Sequence, residues 1–391
     1  MDAKPEQQSS KPLVTSNWQA VYAPSADPGI GYLLFMREGA LMAEPFDNRR
    51  LELKGQAAPV AEQVSDDGGG TGGWANFSAS ANDVLVFQRS AKSAPQLAWY
   101  DREGKVLGTV GEPGVYHGLA LSPDGTRLAV SKSSGQSTNI WLLDLSRGVA
   151  STPFTFGSAD GADPVWSPDG SRVIFSSNRD GPMNLYQKPA SGVKDEELLL
   201  NSDEYKRATS WSRNGRFLLY EVVHPTRKGD IWVLPLEGDR KPVPFLITEF
   251  NERQARFSPD GHWVAYTSDE SGHFEVYVRS FSMTSAGMAM EAGGKWQISN
   301  GFGQEPRWRS DGRELYYLGG GGRIMAVEIA TNPVFQAGKP QPVGPLANSR
   351  GTSPFGLWDS TADGKHFLRV AARSGPEPYT VVMNWQAGLK K

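Results

Sequence analysis

One phrase returns along this chain with small variations. "DPVWSPDGSRVIFSSNRDG" runs from Asp163 to Gly181, "GLALSPDGTRLAVSKSSG" starts at Gly118, "QARFSPDGHWVAYTSDESG" at Gln254 and "EPRWRSDGRELYYLGGGG" at Glu305. A catalytic motif is rarely needed four times, whereas a structural unit is. Aligned on the apolar residue before the turn, the repeats fall at Tyr22, Phe77, Leu121, Trp166, Trp211, Phe257, Trp308 and Trp358, spaced 44 to 55 residues apart. A period near 45 is the length of one four-stranded propeller blade.

The parts of the repeat read as strands. After each turn comes a short apolar run, such as "RLAVSK" from Arg127, "RVIFSS" from Arg172 or "WVAYTS" from Trp263. A second run follows, such as "NIWLLDL", "NLYQKPA" or "EVYVRSF", and the two pair as a hairpin. A weaker fourth strand is readable in "EELLLN" and "PVPFLIT". The turn has its own physical logic. In Ser-Pro-Asp-Gly, Pro presets φ, Asp bonds a neighbouring backbone N–H, and Gly takes the left-handed position. Asp124, Asp169 and Asp260 are therefore turn carboxylates, and Asn214 does the same work in "SWSRNG". Trp141, Tyr186, Trp232 and Tyr277, one per repeat on the second strand, read as packing between blades rather than as a ligand cage.

The expected fold is all-β, a single propeller of four-stranded antiparallel blades. Eight blades are expected, with seven as the alternative if the degenerate first hairpin packs differently. The repeat units fall near 18–64, 74–110, 116–157, 162–201, 207–248, 253–299, 304–346 and 355–385, after a disordered tail at 1–10. The last unit lacks a fourth strand. "KPLVTSN" at Lys11–Asn17 matches "KWQISN" at Lys295–Asn300, so the N-terminal segment is expected to supply that outer strand and close the ring. The chain begins abruptly at this strand, as a piece of a longer polypeptide would.

Composition excludes several classes. The 391 residues carry a net charge of −3, which argues against a nucleic-acid binder driven by positive charge. Cys is 0, so there are no disulfides, thiolate metal sites or cysteine nucleophiles. No apolar run is long enough to span a membrane, so no direct insertion by this chain is expected. A monomer is expected.

The repeats "WSPDG" and "IWVLPL" resemble the TolB-type, WD-repeat-like propellers. A finer resemblance lies in "YLLFMREGALMAEPFDNRRLELKGQ", "WYDREGKVLGTVGEPG", "NRDGPMNLYQKPASG" and "TVVMNWQAGLKK". These are similar to the C-terminal propeller of acidobacterial-type membrane-anchored serine/threonine protein kinases. That resemblance implies a sensor or interaction part of a larger signalling protein, on the extracytoplasmic, periplasmic side. The kinase motifs are missing here: no Gly-rich loop with its strand Lys, no His-Arg-Asp, no Asp-Phe-Gly.

No enzyme motif is legible. There is no Gly-x-Ser-x-Gly nucleophile elbow, and His117, His224, His262, His273 and His366 have no metal-ligand spacing. No catalytic residue, metal or cofactor is assigned. The Gly-rich "DDGGGTGGW" at Asp66–Trp74 leads into a strand rather than a helix, so it reads as a loop rather than a phosphate cradle. "GGGG" at Gly319–Gly322 reads as a hairpin tip. The function expected is non-catalytic binding of a protein, peptide or small anionic ligand. The alternative is a propeller enzyme, a lyase or lactonase-like hydrolase, with its site in the central channel.

The candidate binding face is the ring of loops that enter the inner strands. Those loops carry Trp18, Trp74, Tyr116, Tyr205, Phe250, Phe302 and Phe355, with His117, Asp163, Arg207, Arg253 and Glu305 beside them. Aromatics with arginine are the composition of binding hot spots. The channel-mouth candidates are Trp74, Tyr116, His117, Asp163, Arg207, Arg253, Phe302 and Glu305. Trp74, Tyr116 and Phe302 are expected to be exposed, and Arg207 and Arg253 to form a positive rim. The bland alternative is that each ring caps its own blade.

Overall fold

A computed structural model describes residues 13–14, 16, 18–65, 74–89, 95–146, 150–224, 228–284, 287–288, 294–331, 334–344, 357–370 and 378–389. Among them the chain is all-β, with 3-10 turns at Gly320–Gly322 and Trp385–Leu389 and no α-helix. It divides into two compact units. One comprises residues 94–349 and 353–372, the other residues 1–93, 350–352 and 373–391. The expected tail at 1–10, the glycine-rich stretch 66–73 and Phe355 lie outside the described residues.

Among the described residues the larger unit holds six antiparallel sheets that form blades, besides a two-stranded ladder of Met283–Thr284 with Gly287–Met288. Blade 1 is Tyr116–Leu121, Arg127–Ser134, Ser137–Asp144 and Ala150–Pro153. Blade 2 is Gly161–Trp166, Arg172–Ser177, Asn184–Pro189 and Glu197–Leu200. Blade 3 is Tyr205–Trp211, Phe217–Val223, Gly229–Pro235 and Val243–Leu246. Blade 4 is Arg253–Phe257, Trp263–Ser268, Glu275–Ser280 and Lys295–Gln297. Blade 5 is Gly303–Trp308, Glu314–Gly319, Ile324–Ala330 and Gln341–Val343, with Gln336–Ala337 also on the third strand. The Gly320–Gly322 turn joins the second and third strands of blade 5, as a hairpin tip should.

Blade 6 is composite. Its inner strands are Trp358–Ser360 and His366–Val370, and its outer strands are Leu97–Asp101 and Val106–Val110. His366 pairs with Asp101 and Val370 with Leu97. The ring of the larger unit is thus closed by outer strands from the N-terminal side of the repeats, but from Leu97–Val110 rather than Lys11–Asn17. Leu13, Val14 and Ser16 carry no strand, and the rest of that segment lies outside the described residues. The hairpins expected in units 74–110 and 355–385 have exchanged partners. Val84–Gln88 pairs with Tyr379–Met383, not with Leu97–Asp101. Closing a ring across chain ends removes two sheet edges at once, which local hairpins would leave open.

The smaller unit has two sheets. Ala40–Asp47 pairs with Ile30–Arg37 and also receives Glu52–Leu53 and Ala58–Ala61. The other sheet is Tyr379–Met383, Val84–Gln88 and Phe77–Ala79. Leu34, Met36, Leu41, Leu85, Phe87 and Trp385 form its buried core. Two of the repeats counted in the sequence are thus recombined.

The repeat turns have the geometry their sequence demands. Gly125, Gly170, Gly215, Gly261, Gly312 and Gly364 have φ between 68° and 79°. Asp169 Oδ1 accepts the Ser171 N–H at 3.0 Å and the Ser167 hydroxyl at 2.5 Å, and Ser167 Oγ accepts the Arg172 N–H at 2.9 Å. These hydrogen bonds hold the Asp169 carboxyl down at about 2. Asn214 Oδ1 accepts from Ser212 Oγ and from the Arg216 N–H in the same way. Each turn is self-sufficient, so it can be copied from blade to blade.

Candidate functional site

The inner strands of blades 1 to 5 each carry a register shift. In blades 2, 4 and 5 the bulge puts a non-glycine residue into left-handed space: Asp163 at φ 51°, Gln254 at 59° and Glu305 at 55°. Such residues cost energy and persist where surrounding structure holds them. Here the bulges sit on the channel wall. Asp163, Gln254 and Glu305, with Arg207 and Glu221, line a narrow chamber of about 40 Å³ in the larger unit.

The chamber is a charge network. Arg207 Nε donates to Asp163 Oδ2 at 3.1 Å, and its Nη1 lies 3.5 Å from Glu221 Oε2. Glu221 Oε1 accepts the Gln254 N–H. Gln254 Oε1 accepts the Glu305 N–H at 3.0 Å and the Thr267 hydroxyl at 2.9 Å. Burial pushes the Asp163 and Glu221 carboxyls above their ordinary values, although Arg207 pulls both back. Arg207 itself is raised: burial opposes its charge, but Asp163 and Glu221 together outweigh it. The Arg253 guanidinium lies 3.6 Å above the Phe274 ring, and burial lowers it despite Glu221 and Glu305.

Above this chamber opens a wider cavity of about 380 Å³. All six blades build it, and each contributes the same piece, the second residue of its repeat turn. These are Pro123, Pro168, Arg213, Pro259, Ser310 and Ala362. Inside that rim stand Trp166, Trp211, Phe257 and Trp308. The indole N–H groups are already used: Trp166 Nε1 donates to Ala120 O at 2.9 Å, Trp211 Nε1 to Gly215 O at 2.9 Å, and Trp308 Nε1 to Arg256 O at 3.2 Å. The collar therefore offers apolar surface.

Arg256 and Arg307 line both the cavity and the chamber below it. Arg307 Nη1 donates to Pro306 O at 3.0 Å, its Nε is 3.9 Å from Asp359 Oδ1, and its guanidinium lies over Trp358. Arg256 differs. Its Nε is buried and has no hydrogen-bond partner among the described residues. Burial and the like charge of Arg307 outweigh the attraction of Asp359, Glu305 and Glu221, and bring its pKa down to about 9.

The predicted site residues separate. Asp163, Arg207, Arg253 and Glu305 are brought together on the channel wall of the larger unit, but Arg207 is committed to Asp163 and Glu221 rather than standing as a free rim. Tyr116 is corrected: only 4% exposed, it packs in the blade 1 core with Leu119 and Leu143, and its hydroxyl donates to Glu112 O. An aromatic ring beside apolar neighbours gains more from burial than from display. Phe302 is half-buried, and His117 Nε2 lies 2.7 Å from Ser133 Oγ. Trp74 is 66% exposed but belongs to the smaller unit. Trp18, Tyr205 and Phe250 are half-buried.

Arg256 and Arg307 were missed, and a signal existed. In the six repeats of the larger unit the residue just before the aligned apolar residue is Ala120, Val165, Ser210, Arg256, Arg307 and Leu357. Two arginines at a position otherwise small or apolar depart from the architectural pattern. The turns themselves, read as architecture, are also the rim of the cavity.

Comparison with known proteins agrees with this fold. The family described as the TolB beta propeller domain matches residues 102–234. An uncharacterized protein of Agrobacterium fabrum is 28% identical over 260 residues, 62% of this chain and 83% of that one. The putative TolB from Agrobacterium tumefaciens superposes with a TM-score of 0.54 at 16% identity, covering 72% of this chain and 100% of that one. The uncharacterized peptidase YuxL of Bacillus subtilis is 37% identical over 84 residues, which is 20% of this chain and 13% of the peptidase. The chain has a TolB-type β-propeller fold.

Proposed function

We propose that this chain is a non-catalytic binding propeller, and that its site is the cavity at the turn-side mouth of the larger unit. The observation that carries this reading is the convergence of all six repeat turns on one 380 Å³ cavity. That volume lies within the range of small-ligand sites. The lining offers indole faces, proline rings and guanidiniums, which is recognition chemistry. The occupant is a small anionic ligand, or a peptide or protein segment presenting a negative group. Asp163, Arg207, Arg253 and Glu305 serve as the wall beneath it. In this reading, supported by the resemblance to kinase-borne propellers, the chain is the extracytoplasmic sensor part of a membrane-anchored signalling protein. No helix among the described residues is long and apolar enough to cross a membrane.

The test uses the lack of cysteine. Ser310→Cys puts a single thiol on the exposed rim, and a bulky maleimide there plugs the mouth. Compounds that raise the melting temperature of the unlabelled protein are then measured on the labelled one. Binding at the mouth predicts that the shift disappears on labelling. Hits indifferent to the plug would overturn the assignment, and turnover of a hit would favour the lyase or lactonase-like alternative.

A further inference from the structure

The mouth cavity is lined by three guanidiniums, Arg213, Arg256 and Arg307, and by one carboxylate, Asp359. Asp359 is already engaged. Its Oδ2 accepts the Leu121 N–H at 2.9 Å, its Oδ1 accepts the Ser360 N–H at 2.9 Å, and Arg307 stands 3.9 Å away. Arg213 Nη1 turns outward to Ser310 O at 3.2 Å. The Arg256 Nε is enclosed and has no hydrogen-bond partner among the described residues. Asp359, Glu305 and Glu221 attract Arg256 without outweighing burial and the like charge of Arg307, so an anionic acceptor brought by a ligand would satisfy what the protein leaves unmet.

Its surroundings say what would satisfy it. Arg256 sits beside Arg307, so two planar donor groups face one space. Planar forks of N–H donors match a carboxylate, which accepts in pairs. Above them is a collar whose indole N–H groups are all spent on backbone carbonyls, so what remains for a ligand is apolar. The donors are at the floor and the apolar wall is above. A ligand must therefore enter with its anionic end first and leave an apolar body in the collar.

Resting on the binding reading above, we propose that Arg256 and Arg307 form a carboxylate-binding pair at the floor of the mouth cavity, selecting ligands with one terminal carboxylate on an apolar or aromatic body. Such a group could belong to a small organic acid or to the free C-terminus of a peptide. The cavity supplies what both share, two guanidiniums for the carboxylate and indole and proline faces for the body.

The experiment measures binding by calorimetry at constant ionic strength, with phenylacetate, its neutral isostere phenylacetamide, the tripeptide Ala-Ala-Phe and the same tripeptide as its C-terminal amide. The proposal expects at least one carboxylate to bind, and each neutral partner to bind at least about tenfold more weakly, the scale of a lost charge-assisted hydrogen bond. Tighter phenylacetate points to a small acid, tighter tripeptide to a chain end. Arg256→Leu should lose the same factor of at least about tenfold while melting no lower than the wild type without ligand, because it removes a charge whose burial and repulsion by Arg307 outweigh its attractions. Arg256→Gln is the second variant, keeping polarity without charge, and should also lose carboxylate binding. Equal binding of acid and amide, no binding of either acid, or wild-type affinity in both variants would each overturn the proposal. The maleimide-labelled Ser310→Cys protein separates the two readings. If amides bind and the plug abolishes it, the mouth stands as a site and only the carboxylate assignment falls. If acids bind regardless of the plug, the mouth itself is the wrong place.

Discussion

Arg207 Nε reaches Asp163 Oδ2 at 3.1 Å across the seam between blades 2 and 3, joining residues 44 positions apart. The separation is one repeat, so the pair links equivalent regions of neighbouring inner strands. Asp163 takes part only because its strand bulges and turns it into left-handed space at φ 51°.

Removing Arg207 leaves Asp163 and Glu221 buried without their principal cation. Arg207→Ala should cost about 3–5 kcal/mol, the scale for breaking a buried ion pair from one side. Asp163→Asn combined with Arg207→Met should recover much of that loss. Chemical denaturation of the three proteins at neutral pH checks this, and a negligible cost for Arg207→Ala would show the network to be energetically idle.

Gly170 sits at φ 68° in the blade 2 turn, with Arg127 Nη2 3.4 Å from where a Cβ would stand. Gly170→Val should destabilise by about 1–2 kcal/mol through left-handed strain. Asp169→Asn should be nearly neutral above pH 5, since Asn214 performs the same turn in blade 3. Below pH 4 the two should diverge. A carboxyl held at about 2 keeps its stabilising hydrogen bonds above its unfolded value of 3.8 and loses them as the pH falls through about 2. Urea midpoints at pH 7 and pH 3 provide the comparison.

Glu252 behaves in the opposite sense. It is 2% exposed, and burial, helped by Asp230 and Glu270 and opposed by the Thr248 hydroxyl, raises it to about 7. Between its unfolded value of 4.5 and about 7 the folded protein binds the extra proton. Stability contributed by the neutral form is therefore full below 4.5 and lost as the pH rises through 7, by at most about 3 kcal/mol. Glu252→Gln should flatten that decline. Melting temperatures from pH 4 to pH 9 measure it, and parallel curves for the two proteins would refute the assignment.

The strand exchange makes a prediction about truncation. A chain ending at residue 377 keeps both inner strands of blade 6 but strips Val84–Gln88 of Tyr379–Met383 and removes Trp385 from the core of the smaller unit. Amide exchange should become fast in Ile30–Arg37 and Val84–Gln88 and stay slow in blades 2 to 4. Loss of protection throughout would mean that the two units fold as one cooperative body.

The repeat itself was legible because its causes are local. Pro, Asp and Gly at fixed offsets dictate a turn, and alternating aromatic and branched residues dictate the strands around it, so period, blade chemistry and the positive φ at Gly125, Gly170 and Gly261 all follow from neighbours in sequence. Asp163 and Glu305 stand three residues before the aligned turn residue and Arg207 and Arg253 four before it, and the structure brings these neighbouring columns to one wall of the channel. Tyr116 was misjudged because exposure depends on what a ring meets across the blade. Hairpin logic likewise failed at Leu97–Asp101, whose partner His366–Val370 is reached only by closing the chain on itself. The sequence determined by itself that the chain is a β-propeller of Ser-Pro-Asp-Gly repeats, since that information is carried by residues a few positions apart. Only the tertiary structure decided which strands complete blade 6, which turns ring a cavity, and that Arg256 stands beside Arg307 with its Nε enclosed and unbonded among the described residues, because those are meetings of residues tens to hundreds of positions apart, set by closure and packing rather than by local conformational preference.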